Sequence, residues 1–311
     1  MQRPPPQINR QLDPSNKQVE LLWTKQEYLL FQNPIWSQNT VYAYAPPDYI
    51  IAFNGFSGGI FWKRVLPFKE SGVRDFLAST SAIFNVTTTD VYAYTASFGD
   101  QMWATHLGDG HVGIYSQLED SLLRIYYGNK IFEISPVSGE ILKEQDSGNI
   151  YWIEDNVEIH TISPNQDIGL RGIDHTTGEI IWENINHVFS RENGFPIQSG
   201  SNSFIVLTDS YGICALDIET GRYIWCRPEE YKSNLGMEED ENVGYLLRKD
   251  FSLIKLNLAS GEVLAEIQFL PKELPQEMQN TGYEYSLAVT KDAVIVSFGD
   301  SGETFALRNL P

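Results

Sequence analysis

Histidines, cysteines and clustered carboxylates are the residues with which this chain of 311 residues could do chemistry. The five histidines are His106, His111, His160, His175 and His187. None stands in the H-x-x-x-H or H-x-H spacing that brings two imidazoles to one metal ion. His106 and His111 flank Gly108, Asp109 and Gly110, a loop of the kind that could hold a ligand but reads more simply as solvated surface. Asp109-Gly110 and Asp300-Ser301-Gly302 are turn signals, and a calcium loop needs further oxygen ligands at alternating positions. Glu229 and Glu230 are adjacent on a loop, whereas glycosidic chemistry needs two carboxylates set apart across a sugar. No G-x-S-x-G elbow, phosphate-binding loop or G-x-G-x-x-G ahead of a helix occurs. The residues therefore nominate no catalytic group, no metal ligand and no cofactor.

The two cysteines, Cys214 and Cys226, fall in the two strands of one hairpin. If Asp217 pairs with Arg222, regular pairing sets Cys214 opposite Trp225 and Cys226 opposite Ile213. Alternate residues of a strand point to opposite faces, so the two thiols are expected apart, buried and free.

The elements that carry these residues follow a repeat. Ala52–Trp62, Ala93–Trp103, Glu133–Lys143, Gly172–Trp182, Ala215–Trp225 and Lys255–Ala265 align without gaps. Each has glycine at its seventh position: Gly58, Gly99, Gly139, Gly178, Gly221 and Gly261. Four end in tryptophan, at Trp62, Trp103, Trp182 and Trp225. The motifs begin 41, 40, 39, 43 and 40 residues apart, the period of a four-stranded propeller blade. Apolar and β-branched residues flank a turn that typically holds Asp or Asn, then Ser or Thr, which stands just before the glycine in five of the six, then Gly, the pattern of a hairpin with a left-handed glycine. Near the C-terminus, Thr304–Arg308 reads as the first half of a seventh motif, and Val19–Trp23 near the N-terminus as its second half. The expectation is an all-β, seven-bladed propeller of four-stranded antiparallel blades, closed by an N-terminal strand that completes the last blade. Residues 1–18, with Pro4, Pro5 and Pro6, read as an extended arm, and 19–311 as a single domain. On this reading Trp23, Trp62, Trp103, Trp182 and Trp225 pack blades together, and Trp36 and Trp152 are off-register. Lys143 and Ala265 take the tryptophan position in the third and sixth blades, which are expected to pack less tightly there.

The pattern A-x-D-x-x-T-G-x-x-x-W, clearest in Ala215–Trp225, resembles the tryptophan-docking repeat of pyrroloquinoline-quinone-type propellers, from Trp23 to Leu307. The resemblance specifies the blade and leaves function open, because the repeat serves both quinoprotein dehydrogenases and non-enzymatic scaffolds such as the outer-membrane assembly lipoprotein. Those relatives usually have eight blades. The dehydrogenases also carry an adjacent cysteine pair against the quinone and are about twice as long; this chain has no Cys-Cys. The resemblance is scaffold-like.

Lysine and arginine number 22 against 41 acidic residues, a net charge of −19. That excludes easy binding to phosphate backbones or anionic membranes and suits a basic protein partner. No apolar run reaches the length of a membrane span and no basic-then-apolar leader follows Met1. The expected location is cytoplasmic for a full-length chain, and periplasmic or secreted if a leader was removed. Binding is expected on the face of the inter-blade connections, where loops vary most: 63–72, 104–111, 183–200, 226–242 and 266–282. The acidic stretch Glu229, Glu230, Tyr231, Met237, Glu238, Glu239, Asp240 and Glu241 is the leading candidate, and 270–282, with Pro271, Pro275 and Met278, the second. The leading function is a non-catalytic protein-binding propeller, either an assembly scaffold or an immunity-type inhibitor, monomeric by itself. The rivals are a small-ligand, glycan or quinone site at the central funnel, and a module that supports oligomerisation.

Overall fold

The computed structural model describes residues 20–25, 29, 40–45, 49–66, 75–108, 114–119, 121–128, 130–146, 150–154, 156–162, 169–184, 197–199, 203–208, 212–228, 235–237, 242–248, 250, 252–268, 285–298 and 303–308. All regular elements among them are β-strands, arranged in seven antiparallel sheets. The first sheet holds Thr40–Ala45, Tyr49–Asn54 and Ile60–Val65. The second holds Asp75–Ala78, Ala82–Val86, Asp90–Thr95 and Gln101–His106, and the third Ile114–Glu119, Leu122–Tyr127, Lys130–Ile134 and Ile141–Asp146. Ile150–Glu154, Val157–Ile162, Gly169–Asp174 and Ile180–Asn184 form the fourth. The fifth is Ile197–Ser199, Ser203–Thr208, Gly212–Asp217 and Tyr223–Arg227. The sixth is Gly236–Met237, Val243–Leu247, Ser252–Asn257 and Val263–Gln268. In the seventh, Tyr285–Val289, Ala293–Phe298 and Glu303–Arg308 are joined by Leu21–Lys25 from the other end of the chain, with Trp23 opposite Ala306.

Burial explains the meander. The middle strands are apolar on both faces, as in Tyr49–Asn54 and Ala293–Phe298, because each sheet is sandwiched between two others. Six apolar clusters link neighbours in chain order. Tyr42 and Ile50 pack with Phe76 and Ile83, for example, and Phe84 and Val91 with Leu123 and Ile125. The seventh sheet packs on the sixth through Tyr245 and Leu287, and on the first through Ile295 and Ile51. The last strand of each sheet is an edge open to solvent, and charges such as Lys63, Arg64, Lys143 and Glu144 blunt it against further pairing.

The repeat motif is the hairpin that ends each sheet. In the turn of the fifth sheet Asp217 N–H donates to the Arg222 carbonyl, Gly221 N–H to the Asp217 carbonyl, and Thr220 N–H to the Asp217 carboxylate. Gly221 has φ 65°, which favours glycine there. Three residues further on, the strand bulges. Ala215 pairs with Trp225 but Leu216 with Tyr223, leaving Ile224 unpaired. The same bulge falls at Phe61, Met102, Leu142, Ile181, Leu264 and Leu22.

That bulge overturns the expectation of separated thiols. Asp217 does pair with Arg222, but the extra residue moves the register by one, so Cys214 faces Cys226 directly. Their Cα atoms lie 4.2 Å apart and the sulfurs form a disulfide, so neither cysteine is free.

Candidate partner-binding surface

The tryptophans decide which apolar surface is left over. Each belongs to the edge strand of one sheet and reaches the turn of the next. Trp23 Nε1–H donates to the Gly55 carbonyl at 2.8 Å, Trp62 to Ala96 at 3.0 Å and Trp103 to Pro136 at 3.2 Å. Trp182 donates to Ile218 at 2.7 Å and Trp225 to Leu258 at 2.8 Å. The acceptor is always three residues before the repeat glycine, and the indole lies on that glycine. A Cβ on Gly58, Gly99, Gly139, Gly221 or Gly261 would stand 2.3–2.9 Å from the ring. Glycine is therefore required twice over, for its left-handed backbone and for the aromatic face against it. Where Lys143 replaces tryptophan, nothing among the described residues lies within 4 Å of the corresponding position on Gly178, so the junction is looser there as the sequence suggests. The turn that Ala265 would meet lies outside the described residues.

The bulged residues are the surplus. Pushed out of register next to each tryptophan site, Phe61, Met102, Leu142, Ile181, Ile224 and Leu264 are all exposed. Two grooves run beside them on the side of the repeat turns. The first, about 740 Å³, lies between the first and second sheets and is lined by Tyr42, Phe61, Trp62, Arg64, Thr80 and Phe98 among others. The second, about 370 Å³, lies between the second and third sheets over Phe84, Met102, Leu118, Pro136 and Val137. Phe98 is 66% exposed and Val137 77%, both at turn tips, where no packing need accounts for an apolar side chain. The variable inter-blade connections, to which the sequence points for binding, belong to the opposite face. The signal for this one was present in the alternation of the motif, where Phe61, Met102 and Leu142 follow one another at one register, but it becomes visible only once the bulge is known.

The titratable groups sit elsewhere. Asp75 is buried on the first strand of the second sheet. Ser116 N–H and Ser116 Oγ–H, from the first strand of the third sheet, both donate to it at 2.6 Å, and Phe76 N–H at 2.8 Å. Burial pushes its pKa up to about 6 against the pull of those donors. Glu158 bridges His160 Nε2 at 2.8 Å and His175 Nδ1 at 2.6 Å. Partial burial opposes its charge, but the two imidazole hydrogen bonds outweigh that and hold its carboxyl below the usual range. His106 pairs with Asp90 at 3.0 Å, across a hairpin. Among the described residues no group of three or more His, Cys, Asp or Glu is arranged around a common point as metal ligands are. Of the acidic candidate stretch, Met237 lies in the short strand Gly236–Met237, paired with Gly244. Glu229, Glu230, Tyr231, Glu238, Glu239, Asp240 and Glu241, like His111, His187, Trp36 and residues 270–282, lie outside the described residues.

An all-β molecule of antiparallel meanders, with an indole from one sheet docked on the turn glycine of the next, is similar to β-propellers built from PQQ-like repeats. Residues 166–309 match the family model for outer membrane protein assembly factor BamB. No curated protein matches the sequence. Among solved structures, BamB from Moraxella catarrhalis is similar over 90% of this chain and 84% of its own, with 13% identity and TM-score 0.52. The Pan2 WD40 domain of Neurospora crassa is similar over 94% and 96%, with 10% identity and TM-score 0.65. The computationally designed Ika8 protein is similar over 93% and 98%, with 12% identity and TM-score 0.59. At such identities the likeness is one of fold.

Proposed function

We propose that this chain is a non-catalytic protein-binding propeller, an interaction scaffold or immunity-type inhibitor that receives a basic partner. On this reading the seven sheets are the blades of one ring over residues 19–311, and the strand Leu21–Lys25 closes it. The observation that carries the function is the pair of adjacent grooves with Phe61, Phe98, Met102 and Val137 standing exposed along them. Exposed apolar residues on a rigid rim are what a partner desolvates, and the net charge of −19 favours a basic one. On this reading the acidic residues of 229–241 offer a basic partner a further contact. The Cys214–Cys226 disulfide favours an oxidising compartment, periplasmic or extracellular.

The test is affinity capture from the native source with the wild type and with Phe98→Ser/Val137→Ser. Both sites are exposed, so the thermal midpoint of the variant should stay within a few degrees. The expected result is one partner held in stoichiometric amount by the wild type and reduced at least tenfold by the variant. Steady turnover of a small substrate by the pure protein, undiminished in the variant, would overturn the proposal.

A further inference from the structure

Five junctions of this molecule contain the same receptor, and each is filled by an indole. The receptor has three parts: a left-handed turn glycine that bares one flat face, the carbonyl three residues before it, and often the carbonyl of the glycine itself. Thr105 Oγ1–H donates to the Gly139 carbonyl at 2.5 Å, Asn184 Nδ2–H to that of Gly221 at 2.9 Å and Arg227 Nη1–H to that of Gly261 at 3.0 Å, each from two residues beyond the tryptophan.

The turn of the fourth blade is built to the same plan. Asp174 N–H donates to the Glu179 carbonyl, Gly178 N–H to the Asp174 carbonyl, and Thr177 N–H to the Asp174 carboxylate; Gly178 has φ 72°. Yet the residue at the tryptophan register of the third blade is Lys143, opposite Glu133, with its side chain in solvent. The two blades have not parted. Gln117 Nε2–H donates to the Ile153 carbonyl at 3.0 Å, and Tyr126 and Ile131 share a cluster with Ile153 and Ile159. Among the described residues, the space over Gly178 that an indole fills elsewhere is open at its outer end.

We propose that this slot, between the outer strand Ile141–Asp146 and the turn at Gly178, binds a tryptophan side chain presented by a basic segment of a partner protein. The occupant follows from two observations. The chain itself shows five times which ring the receptor fits and which carbonyl takes its N–H. The turn itself adds the carboxylates of Asp174 and Glu179, and the whole chain carries a net charge of −19, whereas Glu144 and Asp146 share the face of Phe132, toward the second blade. That excess of negative charge selects cations beside the tryptophan. Leu142, 56% exposed on its bulge, offers the neighbouring apolar contact. The inference rests on the protein-binding reading and names the partner chemistry of a second surface.

The probe is a five-residue peptide, acetylated and amidated, Lys-Thr-Trp-Lys-Lys with 5-fluorotryptophan, followed by fluorine NMR. Lys143→Trp fills the slot from within by the docking the other blades use; Lys143→Tyr fills it with a second ring should that variant fold poorly. The expected result is a saturable shift of the fluorine signal with the wild type and with Lys143→Arg. Affinity should fall at least tenfold with Lys143→Trp, whose thermal midpoint is expected at or above the wild type's. Equal binding to the wild type and the filled variant, or none to the wild type at millimolar peptide, overturns the slot. So does a concentration-dependent dimer that Lys143→Trp abolishes, because the occupant is then a second copy; so too a fluorine-labelled protein in which Trp36 or Trp152 reports the slot already taken. If the slot fails while the grooved rim still captures a partner, the function proposed above stands; if Phe98→Ser/Val137→Ser fails as well, both fall.

Discussion

Asp75 shows how a single side chain can couple the core to pH. Its three donors favour the carboxylate, but complete burial between the first strands of two blades costs more, and its pKa rises to about 6. The raised value means that the folded state holds the proton over a pH range in which the unfolded state has lost it. Asp75 therefore destabilises the fold at neutral pH, and that cost disappears as pH falls through 6 towards 4. A shift from 3.8 to about 6 corresponds to roughly 3 kcal/mol. The stability of the wild type relative to Asp75→Asn, from urea unfolding at steps between pH 7.5 and 4.5, is expected to improve by an amount of that order as pH falls. A flat difference would mean that water reaches the carboxylate. Glu158 behaves with the opposite sign. Its depressed pKa adds stability above the ordinary glutamate range and loses it as pH drops below that range. Glycines report on the same scale. Gly178→Ala meets only backbone strain, about 1 kcal/mol, whereas Gly221→Ala also drives a Cβ to 2.3 Å from the Trp182 ring. Denaturant unfolding should show Gly221→Ala to be clearly the worse of the two.

At the scale of the element, the hairpin with its bulge carries most of what distinguishes this chain. The blade period, the turn glycine and the tryptophan register were legible because each recurs: a pattern repeated at constant spacing survives any uncertainty about one copy. The disulfide was not legible, because it depends on the parity of a single strand. Counting outward from Asp217 and Arg222 in regular alternation sends Cys214 and Cys226 to opposite faces; one unpaired residue, Ile224, brings them together. No composition rule separates a bulge at Ile224 from a regular strand, although the apolar residue before every tryptophan was its trace. The same bulges turn Phe61, Met102 and Leu142 outward, so the candidate surface was hidden for the same reason as the disulfide. The acidic stretch was found from charge alone, a signal that marks solvent exposure without specifying a shape. The bond closes a short loop of 12 residues across one hairpin. Restricting such a loop in the unfolded chain stabilises by about 3 kcal/mol. The double variant Cys214→Ala/Cys226→Ala is expected to unfold at lower urea by an amount of that order, and the wild type in reductant should move in the same direction. Equal midpoints for all three would show that cross-strand packing alone holds the hairpin.

For the molecule as a whole, the ring proposed here depends on the strand Leu21–Lys25. It lies beside Glu303–Arg308, where Arg308 N–H donates to the Glu20 carbonyl at 2.9 Å and the Arg308 guanidinium meets the Glu20 carboxylate. Trp23 then crosses to the first sheet, packing edge-on to Phe53 at 5.6 Å and bonding the Gly55 carbonyl. One strand thus ties the last sheet to the first across almost the full length of the chain. Such contacts form late, after the loop-closure entropy of the intervening residues has been met, and their loss is felt at every junction at once. Trp23→Ala removes an aromatic packed between sheets and should cost about 3–5 kcal/mol. Trp225→Ala deletes the same residue type from an interior junction, so the pair forms a controlled comparison. If the molecule is one closed ring, both variants unfold in a single transition by fluorescence and circular dichroism, and hydrogen exchange speeds up in the sixth, seventh and first sheets of Trp23→Ala together. If the first and last sheets were held independently, Trp23→Ala would instead loosen only the strand Leu21–Lys25, leave protection elsewhere unchanged, and cost far less than Trp225→Ala.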